Sequence, residues 1–246
     1  MIDVHCHILP GIDDGPETLD GALAMCRIAV EDGIDTIVAT PHCYKGRYEN
    51  DASTILPAYD LLKRRVREAG IDLNLQVAGD MHIDPDLASF LKDNPSLCTG
   101  GRFVLVELPS DSIPRLVPEF LFSLRLAGFA PILTHPERNR MIQHRPALVE
   151  EWMQSGTFTQ VTAMSLTGDF GAEPRNAAFA LLERGYVHFV ATDAHSPDWR
   201  RPVLSKAAAL LRERIGEEGA RCLVEGNPRR ILAGQDPVSC ASGFTV

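Results

Sequence analysis

A chain of 246 residues that is 45% hydrophobic can bury one large core, and its 33 acidic against 24 basic residues leave a net charge of −9, which argues against a nucleic-acid groove or an anionic membrane surface as the main partner. Its six cysteines (Cys6, Cys26, Cys43, Cys98, Cys222, Cys240) are scattered with no CxxC pair, so a disulfide framework and a Cys-rich zinc site are not expected, and reduced thiols in a cytoplasmic protein fit best. The opening Met-Ile-Asp-Val-His has neither a basic segment nor an apolar signal core, and no stretch nears the roughly 20 apolar residues of a membrane span.

Taken in chain order, short apolar and β-branched runs predict strands over 2–6, 36–40, 73–78, 103–108, 130–134, 158–161 and 187–192. Between them, three- and four-residue apolar spacing predicts helices over 18–32, 51–69, 113–127, 143–155, 173–184 and 197–215, most closing on a glycine such as Gly33, Gly70 or Gly128. Strict alternation of strand and helix implies parallel strands joined by crossover helices. Seven repeats favour a closed or nearly closed barrel over an open, doubly wound sheet, because ligands here come from nearly every strand end rather than from one switch point. Residues 1–246 are expected to form one domain, with 233–246 as a C-terminal surface extension.

The ligand pattern begins on the first strand. His5-x-His7 places two imidazoles on one side of an extended segment. Three more histidines follow apolar runs: Thr36-Ile-Val-Ala-Thr-Pro-His42, Pro131-Ile-Leu-Thr-His135 and Phe189-Val-Ala-Thr-Asp-Ala-His195. Asp14, Asp80, Glu107 and Asp193 lie at matching positions, and Glu107 ends an apolar run in which an unpaired charge would be costly. The plainer readings are a turn-stabilising side chain for Asp14 and a salt bridge to a core arginine for Glu107. His82, His144 and His188 lack this context and read as ordinary histidines. Five imidazoles and four carboxylates exceed what one ion can use, so two or three metals are expected, and mixed nitrogen and oxygen ligation suits Mn²⁺, Fe²⁺ or Zn²⁺. Strand alternation turns Cys6 away from its neighbouring histidines and into the core.

Together, His5-x-His7, Pro10-Gly-Ile-Asp-Asp-Gly15, Thr40-Pro-His42, His135-Pro-Glu-Arg138-Asn and Asp193-Ala-His195 resemble the polymerase-and-histidinol-phosphatase (PHP) superfamily, and within it the bacterial manganese-dependent protein-tyrosine phosphatases of capsule and exopolysaccharide operons. The resemblance runs from residue 1 to about residue 230. It implies an α/β fold of the distorted (β/α)7 barrel type, with a trinuclear site, Mn²⁺ first among the metals, at the C-terminal ends of the strands. Carried onto this chain, Asp14, His42 and His195 would hold one ion, His5, His7, Asp80 and Asp193 a second, and Asp80, Glu107 and His135 a third. The family's bridging acid is commonly Glu; this chain offers Asp80, with His82 two residues on as another donor.

Clustered divalent ions suit phosphate-ester hydrolysis because they acidify water and neutralise phosphoryl oxygens. No cysteine nucleophile is needed, and none is present in a thiolate-phosphatase loop: six residues beyond each cysteine lie Ile12, Asp32, Glu49, Val104, Pro228 and Val246, never arginine. Arg138 and Arg200 sit beside proposed ligands, where their forks could clamp phosphate and serve catalysis, with Arg201 competing for the second role. The loop 43–50 mixes Tyr44, Lys45, Arg47 and Tyr48 and could receive a phosphotyrosine peptide, or be an ordinary charged loop. The resemblance implies a phosphotyrosine protein, the tail of a bacterial tyrosine kinase, as substrate and partner. Rival readings are a histidinol-phosphate or nucleotide phosphatase of the same superfamily, a metal-dependent amidohydrolase, and a catalytically silent metal-binding module that docks on a kinase.

Overall fold

A computed structural model of the chain describes residues 1–43 and 46–240. The described residues form nine strands, with helices between all but the successive pairs β2, β3 and β4, β5: β1 (Ile2–Cys6), β2 (Thr36–Ala39), β3 (His42–Cys43), β4 (Asn74–Val77), β5 (Asp80–His82), β6 (Phe103–Glu107), β7 (Ala130–Thr134), β8 (Phe158–Thr162) and β9 (Phe189–Ala191). Every pairing is parallel, as crossover helices require. The strands divide into a three-stranded sheet, β1-β2-β4, and a six-stranded one, β3-β5-β6-β7-β8-β9. The parallel α/β architecture is as expected, but the closed or nearly closed barrel is not: the strands lie in two sheets. Among the described residues neither sheet closes on itself, because the strands entered at Thr36 and Asn74 break before His42 and Asp80 and resume as β3 and β5 in the second sheet. At the far edge, His7 N–H donates to Ala194 O at 2.8 Å and Asp193 N–H to His5 O at 2.8 Å, so the ends of β1 and β9 meet.

The seven expected strands all form, and the first two long helices begin at side-chain caps. Thr18 caps the helix Leu19–Glu31 through Gly21 N, and Asp51 caps Ala52–Glu68 through Ser53 N and Thr54 N. Pro146 splits the expected 143–155 helix into Arg140–His144 and Leu148–Gln154. The last long helix starts only at Ser205, leaving 196–204 as an irregular segment.

One side-chain period leads from core to site. On β6, Phe103 and Leu105 pack into an inner apolar cluster and Glu107 follows on the same face; on β9, Phe189 and Ala191 do so and Asp193 follows. On β8, Phe158 lies against that cluster and Gln160 continues its row. Apolar side chains therefore fill the N-terminal ends of the strands, while polar groups gather beyond their C-terminal ends. A larger cluster, including Cys6, Ile37 and Val106, fills the layer between strands and helices. No helix of the described residues is long and apolar enough to cross a membrane.

The expectation of reduced thiols throughout fails at one place. Cys222 and Cys240 form a disulfide with Cα atoms 5.8 Å apart, while Cys6, Cys26, Cys43 and Cys98 are free. The chain after Leu232 folds back rather than trailing: the Asn227 amide donates to Val238 O, its carbonyl accepts Val238 N–H, and Asp236 pairs with Arg102 at 2.5 Å. That return brings Cys240, 18 residues downstream, onto Cys222. Residues 241–246 of the expected extension lie outside the described residues.

Candidate metal centre

All nine expected ligands converge at the C-terminal ends of the strands. Three tight groups form, each with ligand atoms within 4.8 Å of one another: His7, Asp14, His42 and His195; His5, His7 and Asp193; His42, Asp80 and Glu107. Asp14 Oδ1 lies 3.5 Å from His42 Nε2 and 3.4 Å from His195 Nε2. Asp193 Oδ1 lies 3.4 Å from His5 Nε2 and 3.5 Å from His7 Nε2. Asp80 Oδ2, 3.2 Å from His42 Nδ1 and 3.7 Å from His5 Nε2, stands between groups as a bridging carboxylate must. His135 is placed 3.6 Å from Glu107 through its Nε2, at the edge of the third group rather than inside it. Compared with the expected sets, His7 joins the Asp14 group as well, and His42 reaches Asp80 and Glu107. His82 is in none of the groups and lines a neighbouring groove.

Among the described residues, only His135 (φ 33°) and Asp193 (φ 51°) combine a positive φ with a side chain. Such a backbone costs of order 1–3 kcal/mol and persists where the surroundings impose it. Here it turns the chain sharply at the ends of β7 and β9, so that both side chains look into the cup.

The donor set fits divalent cations on internal grounds. His5 Nδ1 lies 2.8 Å from Gln160 Oε1, and His7 Nδ1 lies 2.8 Å from Asp13 Oδ2. Each Nδ1 therefore carries the proton that its acceptor needs, which leaves both Nε2 atoms as bare lone pairs facing each other at 3.1 Å. A cation between or beside them resolves that contact. Asp80 Oδ1 and Glu107 Oε2 are buried with no hydrogen-bond donor among the described residues, and Asp80 Oδ2 has only histidine nitrogens near it, an arrangement whose cost a metal removes.

The electrostatics are those of crowded acids and imidazoles. Burial, aided by Asp80, pushes Glu107 up to about 8. Burial would also raise Asp80, but His5, His42 and His7 hold it below the ordinary carboxylate range. Burial, with His195 and His42 beside it, drives His7 well below the usual imidazole value, and burial with Arg138 brings His135 down to about 3. Against its burial, the carboxylates of Asp80, Glu107 and Asp14 raise His42 to about 9. Neutral His7 and His135 are the forms that ligate metal.

The mouth is a cleft of about 180 Å³ lined by Asp14, His42, Arg47, Tyr48, Glu107, Ser110, His135, Arg138, Asp193, His195 and Arg200. Arg138 Nη1 and Arg200 Nη2 reach the same oxygen, Asp193 Oδ2, at 2.6 and 2.5 Å. Asp193 thus presents Oδ1 to the imidazoles and Oδ2 to two guanidiniums. Arg200, not Arg201, enters the mouth; Arg201 lines a separate surface pocket with Trp199 and Lys206. Tyr48 lies nearly parallel to His42 at 5.7 Å, with Arg47 5.0 Å from its ring. Tyr44 and Lys45 lie outside the described residues.

Four residues of this site escaped the sequence reading. Asp13 and Gln160 orient His7 and His5; an amide inside the apolar run 158–161 was a usable signal for Gln160. Glu137, fully buried, accepts from Thr162 N–H at 3.0 Å and Ser165 Oγ at 2.7 Å, and burial lifts it to about 7. Phe170 turns its ring to both arginines, 5.0 Å from Arg138 and 5.9 Å from Arg200, and nothing in its sequence context marks it.

Comparison with known proteins places this arrangement. Residues 1–233 match the family model of capsular polysaccharide synthesis proteins CpsB/CapC. The chain belongs to the CpsB/CapC family. Among similar proteins, the tyrosine-protein phosphatase YwqE of Bacillus subtilis (strain 168) is 35% identical over 236 residues, 96% of this chain and 92% of that protein. The putative tyrosine-protein phosphatase CapC of Staphylococcus aureus is 34% identical over 197 residues, 80% of this chain and 77% of its own. A crystal structure from work on YwqE of Bacillus subtilis and CpsB of Streptococcus pneumoniae, described as unique metal-dependent tyrosine phosphatases, superposes with a TM-score of 0.90 at 34% identity, covering 97% of this chain and 99% of that one.

Proposed function

We propose that this CpsB/CapC family member is a metal-dependent protein-tyrosine phosphatase of capsule or exopolysaccharide synthesis, and that its substrate is phosphotyrosine on a bacterial tyrosine kinase. The observation that carries the reading is the cup itself: five histidines and four carboxylates around one cleft, with two arginines converging on Asp193 at its rim. Family membership and the similarity to YwqE and CapC support the substrate class. Mn²⁺ is the proposed metal, in two or three sites built from Asp14, His42 and His195, from His5, His7, Asp80 and Asp193, and from Asp80, Glu107 and His135. Residues 1–246 act as one catalytic domain in the cytoplasm, with the two sheets working as a distorted barrel whose seam is the Cys6–Ala194 bridge.

Divalent ions, when bound, supply Lewis acidity that lowers the pKa of water and offsets phosphoryl charge. The chain's own residues do the rest. Arg138 and Arg200 already sit side by side at the rim, and on arrival of a phosphate dianion their free N–H groups can turn outward to its oxygens while Asp193 stays with the imidazoles. Tyr48 and Arg47 offer an aromatic face and a positive charge to the substrate ring. Hydrogen bonds from Nδ1 of His5 and His7 hold both rings in the tautomer that directs Nε2 inward.

The cleft also opens sideways. Tyr48 is shared with a groove of about 880 Å³, and Asp14, His195 and Arg200 with a second of about 520 Å³. Open grooves flanking a small cup suit an extended peptide better than a metabolite that must be enclosed. The test is a substrate panel with Mn²⁺-loaded enzyme: kcat/KM for a phosphotyrosine peptide is expected to exceed that for histidinol phosphate and nucleotides by at least about a hundredfold, roughly 3 kcal/mol. A preference for either small molecule would overturn the substrate assignment.

A further inference from the structure

Asp13 stands next to the proposed ligand Asp14, yet its side chain is fully buried and turned the other way, into the polypeptide. Its Oδ2 accepts the His7 Nδ1 proton at 2.8 Å and the His42 backbone N–H at 3.0 Å; its Oδ1 accepts the Gly15 N–H at 2.9 Å. One carboxylate thus touches a ligand imidazole, the backbone of a second ligand, and the turn that presents a third. His7, His42 and Asp14 are three of the four members of one tight group, completed by His195.

Two neighbours lock this arrangement. Gly15 passes so near the first strand that a Cβ there would lie 2.4 Å from His7 O, so the turn 10–15 is drawn against β1 at a distance only glycine permits. Buried Asn50 ties the same two segments from outside, donating to Ile12 O at 2.8 Å and to His42 O at 2.9 Å. The turn and the His42 segment are therefore joined on both sides, and Asp13 is the joint on the side of the metals.

We infer that Asp13 is the positioning residue of the Asp14–His42–His195 metal site and of His7 in the neighbouring one: it sets the tautomer and aim of His7 and holds the Asp14 turn and the His42 segment in register. This rests on the reading of the cup as a metal centre. Asp13 offers no atom to the ion, since both of its oxygens are already engaged by donors. It acts through the ligands it holds. The expected signature is selective, because the Glu107–His135 edge of the cup has no contact with Asp13.

The test is a calorimetric Mn²⁺ titration of metal-stripped wild type, Asp13→Ala and Asp13→Asn, with circular dichroism to confirm that each is folded. Asp13→Ala is expected to weaken the sites that Asp14, His42 and His7 serve about tenfold to a hundredfold while the affinity of the Glu107–His135 site is kept. Asp13→Asn, which retains an oxygen for His7 and His42, is expected to stay within about threefold of wild type. In metal-stripped, 15N-histidine protein, the Nδ1–H tautomer of His7 should predominate in wild type and Asp13→Asn and be lost in Asp13→Ala. Unchanged affinity at every site in Asp13→Ala would overturn the inference. So would uniform weakening of all sites with Asp13→Asn no better than Asp13→Ala, the pattern of a collapsed cup. Wild-type protein that takes up no divalent ion would overturn the metal reading itself, and this inference with it.

Discussion

Asp193 has two oxygens and five charged or ligating neighbours. His5, His7 and His195 approach Oδ1, and Arg138 and Arg200 share Oδ2; although burial opposes it, the Arg200 guanidinium with His5, His195 and His135 holds the carboxyl well below its usual range. Because the arginines are held by a ligand rather than by each other's surroundings, they stand ready for an incoming anion. Removing either one is expected to lower kcat/KM for phosphotyrosine peptide by about a hundredfold or more, with bound Mn²⁺ retained by elemental analysis. Full activity in Arg138→Ala and Arg200→Ala would remove the phosphate clamp from the mechanism. Phe170 presents its ring face to both guanidiniums; Phe170→Ala is expected to raise KM by about threefold to tenfold, the worth of one or two partly exposed cation–π contacts, and to change kcat less. At this scale the sequence was legible where chemistry demanded a residue type at a strand end, as for His135 and Asp193. It was opaque where a residue acts through space, as Phe170 does from a loop remote in sequence from either arginine.

At the scale of elements, periodicity carried most of the fold. The alternation that runs Phe103, Leu105, Glu107 and Phe189, Ala191, Asp193 is visible in the sequence, and it is the same alternation that separates the apolar plug from the polar cup. What periodicity does not encode is where a strand changes sheets. His42–Cys43 and Asp80–His82 are too short to register as runs, and both exist to re-aim ligands after a break. Residues 196–204 look helical by spacing but stay irregular, and that irregularity lets the Arg200 backbone accept His195 N–H at 2.9 Å while its side chain reaches Asp193. The disulfide was invisible because no short cysteine spacing announces it. Gly234 packs on Gly100 and Asp236 on Arg102, at the start of β6 and away from the metal cup. Replacing Cys222 and Cys240 with serine is therefore expected to cost about 3 kcal/mol of stability through the closed 18-residue segment. Denaturant unfolding reads that loss, and Mn²⁺-dependent turnover should be unchanged.

The molecule as a whole is acidic, yet its cleft carries Arg47, Arg138 and Arg200. Asp14, Glu107 and Asp193 line the same cleft, so divalent ions would tip its balance to positive; the loaded mouth should then focus phosphorylated substrates toward the cup, with a gain that fades with added salt. Stability has its own pH dependence, apart from the metals. His188 Nδ1 accepts Thr159 N–H at 3.2 Å, and burial brings its pKa down from 6.5 to about 4. Since the folded value lies below the unfolded one, the unfolded chain binds the proton first as pH falls. This contribution is complete above about pH 6.5 and is lost progressively down to about pH 4, to a total of about 3 kcal/mol. Denaturant midpoints of His188→Leu should fall less steeply than wild type between pH 6.5 and 4; parallel slopes would exclude the role.

The most direct test of the central claim is a Mn²⁺ titration of fully metal-stripped protein, following phosphotyrosine-peptide hydrolysis and bound metal together. No turnover is expected in the stripped protein, with activity returning as two to three Mn²⁺ per chain are taken up. Turnover that persists without metal, or full metal loading with no hydrolysis of phosphotyrosine, would contradict it.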